Sequence, residues 1–281
     1  MGAGKIKFRQ KQYAEALVHF KEALRLEPLK AQPYMRSARI YAMQKEPDKA
    51  LEQLRNVVKL NPKSAVGYAG IGQVLQSQEK HEEAAQTLNK AVMLNPQFLK
   101  AHQGLALSYA RLGKFPEAIS QLKTALRINP QDSDSYAGLG RVYLEQKDYS
   151  GAREAYQQAI NLNPEARASV RMRYAEVLIA DNRPQEAADV LKEMPAKEQL
   201  GAKLHILWGD IYQRQGLFKE AAQEYQAANL LAAEGEVNLD DELNSLDILS
   251  DEEDDKWEEL AAGYRATAAK VGARRPITST N

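Results

Sequence analysis

Pro28, Pro62, Pro96, Pro130 and Pro164 recur every 34 residues in this 281-residue chain, and the last four each follow an asparagine. Proline lacks the backbone donor that a helix needs and disfavours helix in the residue before it, so each one ends a helix. A helix terminator at constant spacing means that one supersecondary unit is repeated. Between terminators, apolar residues fall twice at helical spacing. In the clearest unit Tyr136, Leu139 and Tyr143 precede a polar break at Gln146-Lys147-Asp148, and Ala152, Tyr156 and Ala159 follow it. Each unit is therefore a helix–turn–helix of 34 residues.

The same positions can be followed along the chain. Tyr34, Ala38, Tyr41, Ala50, Leu54, Val57 and Pro62 make one unit, with Ser37 weak at a Leu position. Tyr68, Ile71, Gly72, Leu75, Ala84, Leu88, Ala91 and Pro96 make the next, and His102, Leu105, Ala106, Tyr109, Ala118, Leu122, Ala125 and Pro130 another. Gly4, Ala16, Phe20, Ala23 and Pro28 fit a first unit whose opening turn is missing. After Pro164 the register slips by one residue. A degenerate unit follows over 168–201 (Tyr174, Ala175, Leu178, Ala187, Leu191), then one with Trp208, Gly209, Tyr212, Gly216, Ala221, Tyr225 and Ala228. This pattern resembles the tetratricopeptide repeat (TPR) family. The resemblance covers residues 1–235 as a clipped first repeat plus six full ones. It implies an all-α, right-handed α-solenoid of helix pairs. Small residues at the eighth, twentieth and twenty-seventh positions admit close helix approach, and each unit touches only its neighbours. Arg171 replaces a large apolar residue and Pro195 shortens the following helix by about a turn, so a bend or soft point is expected there.

Composition removes several function classes. The absence of cysteine excludes disulfides, a thiolate zinc site and a cysteine nucleophile, and suits cytoplasm or periplasm alike. No apolar run reaches the ~20 residues of a membrane helix, so membrane insertion is not expected. His19, His81, His102 and His205 lie in separate repeats without metal-ligand spacing. Gly2-Ala3-Gly4-Lys5 lacks the Ser or Thr and the preceding strand of a phosphate loop. No cofactor, metal or catalytic residue is expected, and the chain reads as a non-enzyme.

The zero net charge hides an asymmetry. Residues 1–132 carry 21 basic and 11 acidic side chains, residues 133–235 carry 12 and 15, and residues 236–281 carry 5 and 12. In TPR arrays the first helix of each repeat lines a concave groove. The resemblance places Met35, Arg39, Gln73, Lys100, Gln103, Leu107, Arg111 and Arg141 on that surface as partner contacts. The Lys and Asn pattern of the two-carboxylate clamp found in some TPR domains is absent. The expected function is a protein-interaction scaffold or adaptor that takes a peptide or helical segment of a partner, acidic by charge complementarity. Two alternatives follow from the same features. One is an accessory repeat region of a larger enzyme or secretion assembly. The other is nucleic-acid binding by the basic half, which lacks clustered aromatics and any named nucleic-acid module.

Residues 236–255 contain ten Asp or Glu and no Lys or Arg, interleaved with Leu239, Leu243, Leu246, Ile248 and Leu249 and followed by Trp257. Such alternation, with acids such as Asp251 and Glu252, suits a segment that orders on a basic, partly apolar surface in its own chain or in another copy. Ser250 and Glu253 have capping-box spacing. A helix is expected over 256–271, as a cap for the array, a partner-binding element or a contact between copies. Residues 272–281 show no periodicity and are expected to be a disordered tail.

Overall fold

The computed structural model describes residues 2–164, 168–194 and 201–233. Pro195, the acidic segment 236–255, the helix expected over 256–271 and the tail lie outside the described residues. Fourteen helices and no strand are present among those described, and the fold is an all-α solenoid. The chain divides into two compact units, with the break after Pro130. Unit one contains α1 (Gly2–Arg9), α2 (Tyr13–Leu26), α3 (Ala31–Met43), α4 (Pro47–Leu60), α5 (Ala65–Ser77), α6 (His81–Leu94), α7 (Leu99–Arg111) and α8 (Phe115–Ile128). Unit two contains α9 (Ser133–Glu145), α10 (Tyr149–Leu162), α11 (Ala168–Ala180), α12 (Pro184–Lys192), α13 (Ala202–Arg214) and α14 (Phe218–Ala233).

Each pair is closed by the same backbone device. The turn residues Lys11, Lys45, Glu79, Gly113, Lys147, Asn182 and Gly216 all have positive φ, between 56° and 77°. At Lys45 the flanking bonds run from Lys45 N–H to the Ala42 carbonyl (3.1 Å) and from Glu46 N–H to the Tyr41 carbonyl (2.9 Å). This is the Schellman arrangement, which satisfies carbonyls that a helix end would leave open. Only two of the seven positions are glycine, so five carry the steric penalty of a side chain in the left-handed region.

Within a pair, a small residue on the first helix faces a large one sixteen residues later on the second. Where the small residue is glycine the partner can be aromatic: a Cβ on Gly140 would lie 2.7 Å from the Tyr156 ring, and one on Gly209 only 2.4 Å from the Tyr225 ring. Where it is alanine, at 38, 106 and 175, the partner is leucine at 54, 122 and 191, and all six are buried. Volume is thus conserved across the pair while its division changes.

Within each unit, second helices also pack against the first helix of the next pair: α2 on α3, α4 on α5 and α6 on α7 in unit one, and α10 on α11 and α12 on α13 in unit two. In unit one, Leu51, Leu54, Leu75, Leu88 and Leu105 belong to one continuous core, and Ala16, Phe20 and Ile40 to another. In unit two the core includes Tyr156, Tyr174, Leu178, Leu191, Leu207 and Ile211. The second helix of the degenerate repeat, α12, is 9 residues long, against 14 for α10. Within the degenerate repeat, where a bend or soft point is expected, Arg171 is a partnered position. Helix α11 runs without a break, and Arg171 is 6% exposed. Its Nη2 donates to the Pro164 carbonyl at 2.6 Å and its Nη1 to Glu193 Oε2 at 3.1 Å. A buried cation is tolerated when paired and hydrogen-bonded, which is the case here.

Candidate binding surfaces

First helices meet directly on one side of each unit. In unit one α5 touches α7, and Gln76 Nε2 bridges them by donating to the Gly104 carbonyl (2.7 Å) and to Ser108 Oγ (2.8 Å). Arg39 on α3 is exposed, and its guanidinium carbon lies 5.2 Å from the centroid of the Phe8 ring on α1. That cation–π contact holds the charge over the first-helix face without a carboxylate. Met35 is half-buried against the core, and Gln73, Lys100, Leu107 and Arg111 are half-exposed. Gln103 differs from its expected role. It is 1% exposed and does not present itself to a partner.

The first-helix positions that resemblance assigns to the groove of unit one carry Lys5, Arg9, Arg39, Lys100 and Arg111, and no Asp or Glu. Arg111 acts on its surroundings through charge. Burial and the Arg111 cation push His81 below the ordinary histidine range, against the opposing carboxylates of Glu79 and Glu82. His81 Nδ1 is itself buried with no hydrogen-bond partner among the described residues, which suits a neutral ring.

Unit two has a different surface. Arg141 is half-exposed on α9. Between α11 and α13 lies a cleft of about 750 Å³ floored by Ile179, Ile206 and Leu207. Glu176 at its rim is held by Arg173 (3.2 Å) and Lys203 (3.3 Å). At the opposite rim Asp210 Oδ1 accepts from the Tyr225 hydroxyl at 2.7 Å, and Arg214 Nη1 donates to Asn182 Oδ1 at 3.4 Å. Unlike the face of unit one, this cleft balances acids against bases. Tyr225 was not legible as a partner of Asp210, because its position is a packing position and the side chain is buried. Only the pairing of an aromatic with Gly209 signals that its hydroxyl reaches past the helix to Asp210.

Among the described residues, no three His, Asp or Glu side chains gather to hold a metal ion, and no helix is long and apolar enough to cross a membrane. The residues from Leu239 to Trp257 expected to form a binding motif lie outside the described residues.

A family model for the cilia and flagella-associated protein 70 C-terminal domain, a tetratricopeptide repeat domain, matches residues 1–203. The chain belongs to this tetratricopeptide repeat family. Comparison with curated proteins returns no match. Among solved structures, a tetratricopeptide repeat protein from Parabacteroides merdae is similar at 16% identity, with 94% of this chain and 96% of that chain covered and a TM-score of 0.68. PilW, a type IV pilus biogenesis factor, is similar at 21% identity, with 72% and 94% covered and a TM-score of 0.66. The Cut9–Hcn1 heterotetramer of APC/C matches at 15% identity, with 83% and 45% covered and a TM-score of 0.67. At these identities the likeness is one of fold.

Within this tetratricopeptide repeat domain the fourth position of the first helix departs from an aromatic three times, and each substitute is partnered. His102 places Nδ1 2.7 Å from Gln121 Oε1 and Nε2 3.0 Å from the Pro96 carbonyl oxygen. Arg171 reaches Glu193 and the Pro164 carbonyl, and His205 Nδ1 lies 2.7 Å from Glu224 Oε2. A polar side chain can replace a ring here because the second helix and the preceding turn both supply acceptors.

Proposed function

We propose that the chain is a non-catalytic interaction scaffold, and that the first-helix face of unit one takes a linear, acidic segment of a partner protein. The observation that carries this reading is the one-signed charge of that face. Exposed Arg39 stands over Phe8 with no carboxylate partner among the described residues, and the other charged lining positions are all basic. Met35 and Leu107 supply apolar contacts between these cations. Charge of one sign steers an opposite partner and makes binding salt-sensitive. A segment such as 236–255 has the required chemistry, so the chain's own acidic stretch, in the same or another copy, would compete with the partner. The test is affinity capture with the wild type beside an Arg39→Glu/Lys100→Glu variant, with Arg141→Glu as a separate arm in unit two. Loss of a captured protein in the first variant, and its displacement from wild type by a synthetic 236–255 peptide acting as competitor, supports the assignment. Partners retained by every variant would place binding elsewhere.

A further inference from the structure

The two ends of the helix pairs in unit one differ in chemistry. Because the helices alternate in direction, the links from a second helix to the next first helix gather at one end and the tight turns at the other. The turn end, at 10–12, 44–46, 78–80 and 112–114, exposes no large apolar side chain among the described residues. The link end does. Leu29 is 80% exposed and Met93 75%, and Leu26 and Leu94 at the same helix ends are exposed as well. Val66, the second residue of α5, adds a fifth, and only Ile6 and Val18 are exposed elsewhere among the described residues of unit one.

Charge at the link end is nearly one-signed. Over 25–30, 59–64, 93–98 and 127–130 the chain carries Arg25, Lys30, Lys59, Lys63 and Arg127 against Glu27 alone. Arg25 pairs with Glu22 and Lys30 with Glu27, but all four side chains are more than half exposed, and such pairs exchange readily with other anions. Arg127 Nη2 donates to Thr124 Oγ1 (2.8 Å), and Lys59 and Lys63 have no carboxylate partner among the described residues. Two of the links are braced: the Asn61 and Asn95 side chains accept from the backbone N–H groups of Lys63 (3.0 Å) and Gln97 (3.1 Å). Leucine and methionine side chains therefore project from fixed links, with cations between them.

We infer that the link end of unit one is a peripheral docking surface for an anionic lipid bilayer. Exposed apolar side chains gathered on one surface mark an interaction site. A bilayer interface accepts separate projecting side chains without shape complementarity, while anionic headgroups attract the lysines and arginines. A second copy would instead set like charges against each other. Only side chains of the links enter the interface, so no membrane-spanning helix is needed. The helices of unit one then stand end-on to the membrane, with the first-helix face turned sideways and open to water. A partner held on that face would be presented at the membrane surface. None of the residues at the link end is among the contacts assigned to the first-helix face, so either assignment can fail without the other.

Sedimentation of the full chain with vesicles tests it, comparing phosphatidylcholine alone with phosphatidylcholine carrying about 30% phosphatidylserine. Binding to the anionic vesicles only is expected, weakening as salt rises. Lys59→Glu/Lys63→Glu should weaken it at least about tenfold, since each cation at an anionic surface contributes about fivefold. Leu29→Ser/Met93→Ser should weaken it at least about tenfold with no change in charge. All four positions are exposed, so these substitutions leave the buried core intact. The control is Lys11→Glu/Lys45→Glu at the turn end, which makes the same change in net charge as the lysine variant. Glu79 already occupies the equivalent turn position, so the backbone there accepts Glu. Helices of this length hold the two ends about 20 Å apart, beyond the Debye length, so the control should bind within about twofold of wild type. Absence of binding to anionic vesicles, an equal loss in the control, or full binding by Leu29→Ser/Met93→Ser would each overturn the proposal. A dimeric mass lost in Leu29→Ser/Met93→Ser without vesicle binding would assign the surface to a second copy. An acidic protein bound there in place of vesicles would assign it to that protein, and either result overturns the proposal equally.

Discussion

Gly140→Ala and Gly72→Ala make the same chemical change at the same repeat position, yet the structure separates them. Judged by distance, Gly72 is the more crowded: an added Cβ would lie 2.5 Å from Leu88 Cγ, against 2.7 Å from two carbons of the Tyr156 ring at Gly140. The partner decides the outcome. Alanine facing leucine already occurs three times, with Ala38, Ala106 and Ala175 each buried opposite a buried leucine, so Leu88 has a known way to accommodate the methyl. The Tyr156 ring is 2% exposed and lies 6.4 Å from the Tyr174 ring, and it has no comparable freedom. Replacing a mid-helix glycine by alanine contributes about 1 kcal/mol, whereas overpacking a filled core costs about 1–3 kcal/mol. Gly72→Ala is therefore expected to be neutral or stabilising by up to ~1 kcal/mol, and Gly140→Ala to lose about 1–2 kcal/mol. The double variant Gly140→Ala/Tyr156→Leu recreates the alanine–leucine division of volume. It should show a favourable coupling of at least ~1 kcal/mol in a double-mutant cycle. Urea unfolding followed by circular dichroism gives the ranking, and hydrogen exchange in α9 and α10 localises it, because a repeat array need not unfold in two states. A coupling near zero, or Gly72→Ala as the more damaging change, would refute the volume-sharing account.

Three further outcomes are expected. Lys45→Gly and Lys147→Gly should each stabilise the chain by about 0.5–1 kcal/mol, because glycine removes the left-handed penalty at exposed turn positions. A lower urea midpoint would count against this. His81 is held below its ordinary value in the folded protein, so its contribution is present above the unfolded histidine pKa and is lost as pH falls through the lowered folded value. Melting temperature should therefore drop from neutral pH toward mildly acidic pH, and His81→Phe should flatten that profile; an identical slope in the variant would exclude His81 as the source. Arg171→Ala leaves a cavity and the Pro164 carbonyl without its donor, and should cost about 2–4 kcal/mol with fast exchange confined to α11 and α12. A loss below ~0.5 kcal/mol would mean that the buried guanidinium contributes no stability.

The 34-residue proline period, the alternation of small and large residues and the polar breaks determined helix pairs, their number and their family, because those features act within one unit or between adjacent units. The basic character of the first-helix face in unit one was equally legible, since it depends on which residue types occupy a fixed repeat position. Tertiary contact decided the rest. Gln103 has the sequence credentials of a surface contact, but the folded chain leaves it 1% exposed. Arg171 reads as a flaw until Glu193 and the Pro164 carbonyl are brought to it, and Lys45 gives no sign in sequence that its turn requires a positive φ. In unit two the Tyr225 hydroxyl reaches Asp210, one of the residues lining the cleft, a partnership its packing position does not announce. Burial, hydrogen-bond partnership and backbone handedness at a position are properties of its neighbours in space, and a repeat pattern specifies which neighbours arrive but not how closely they pack.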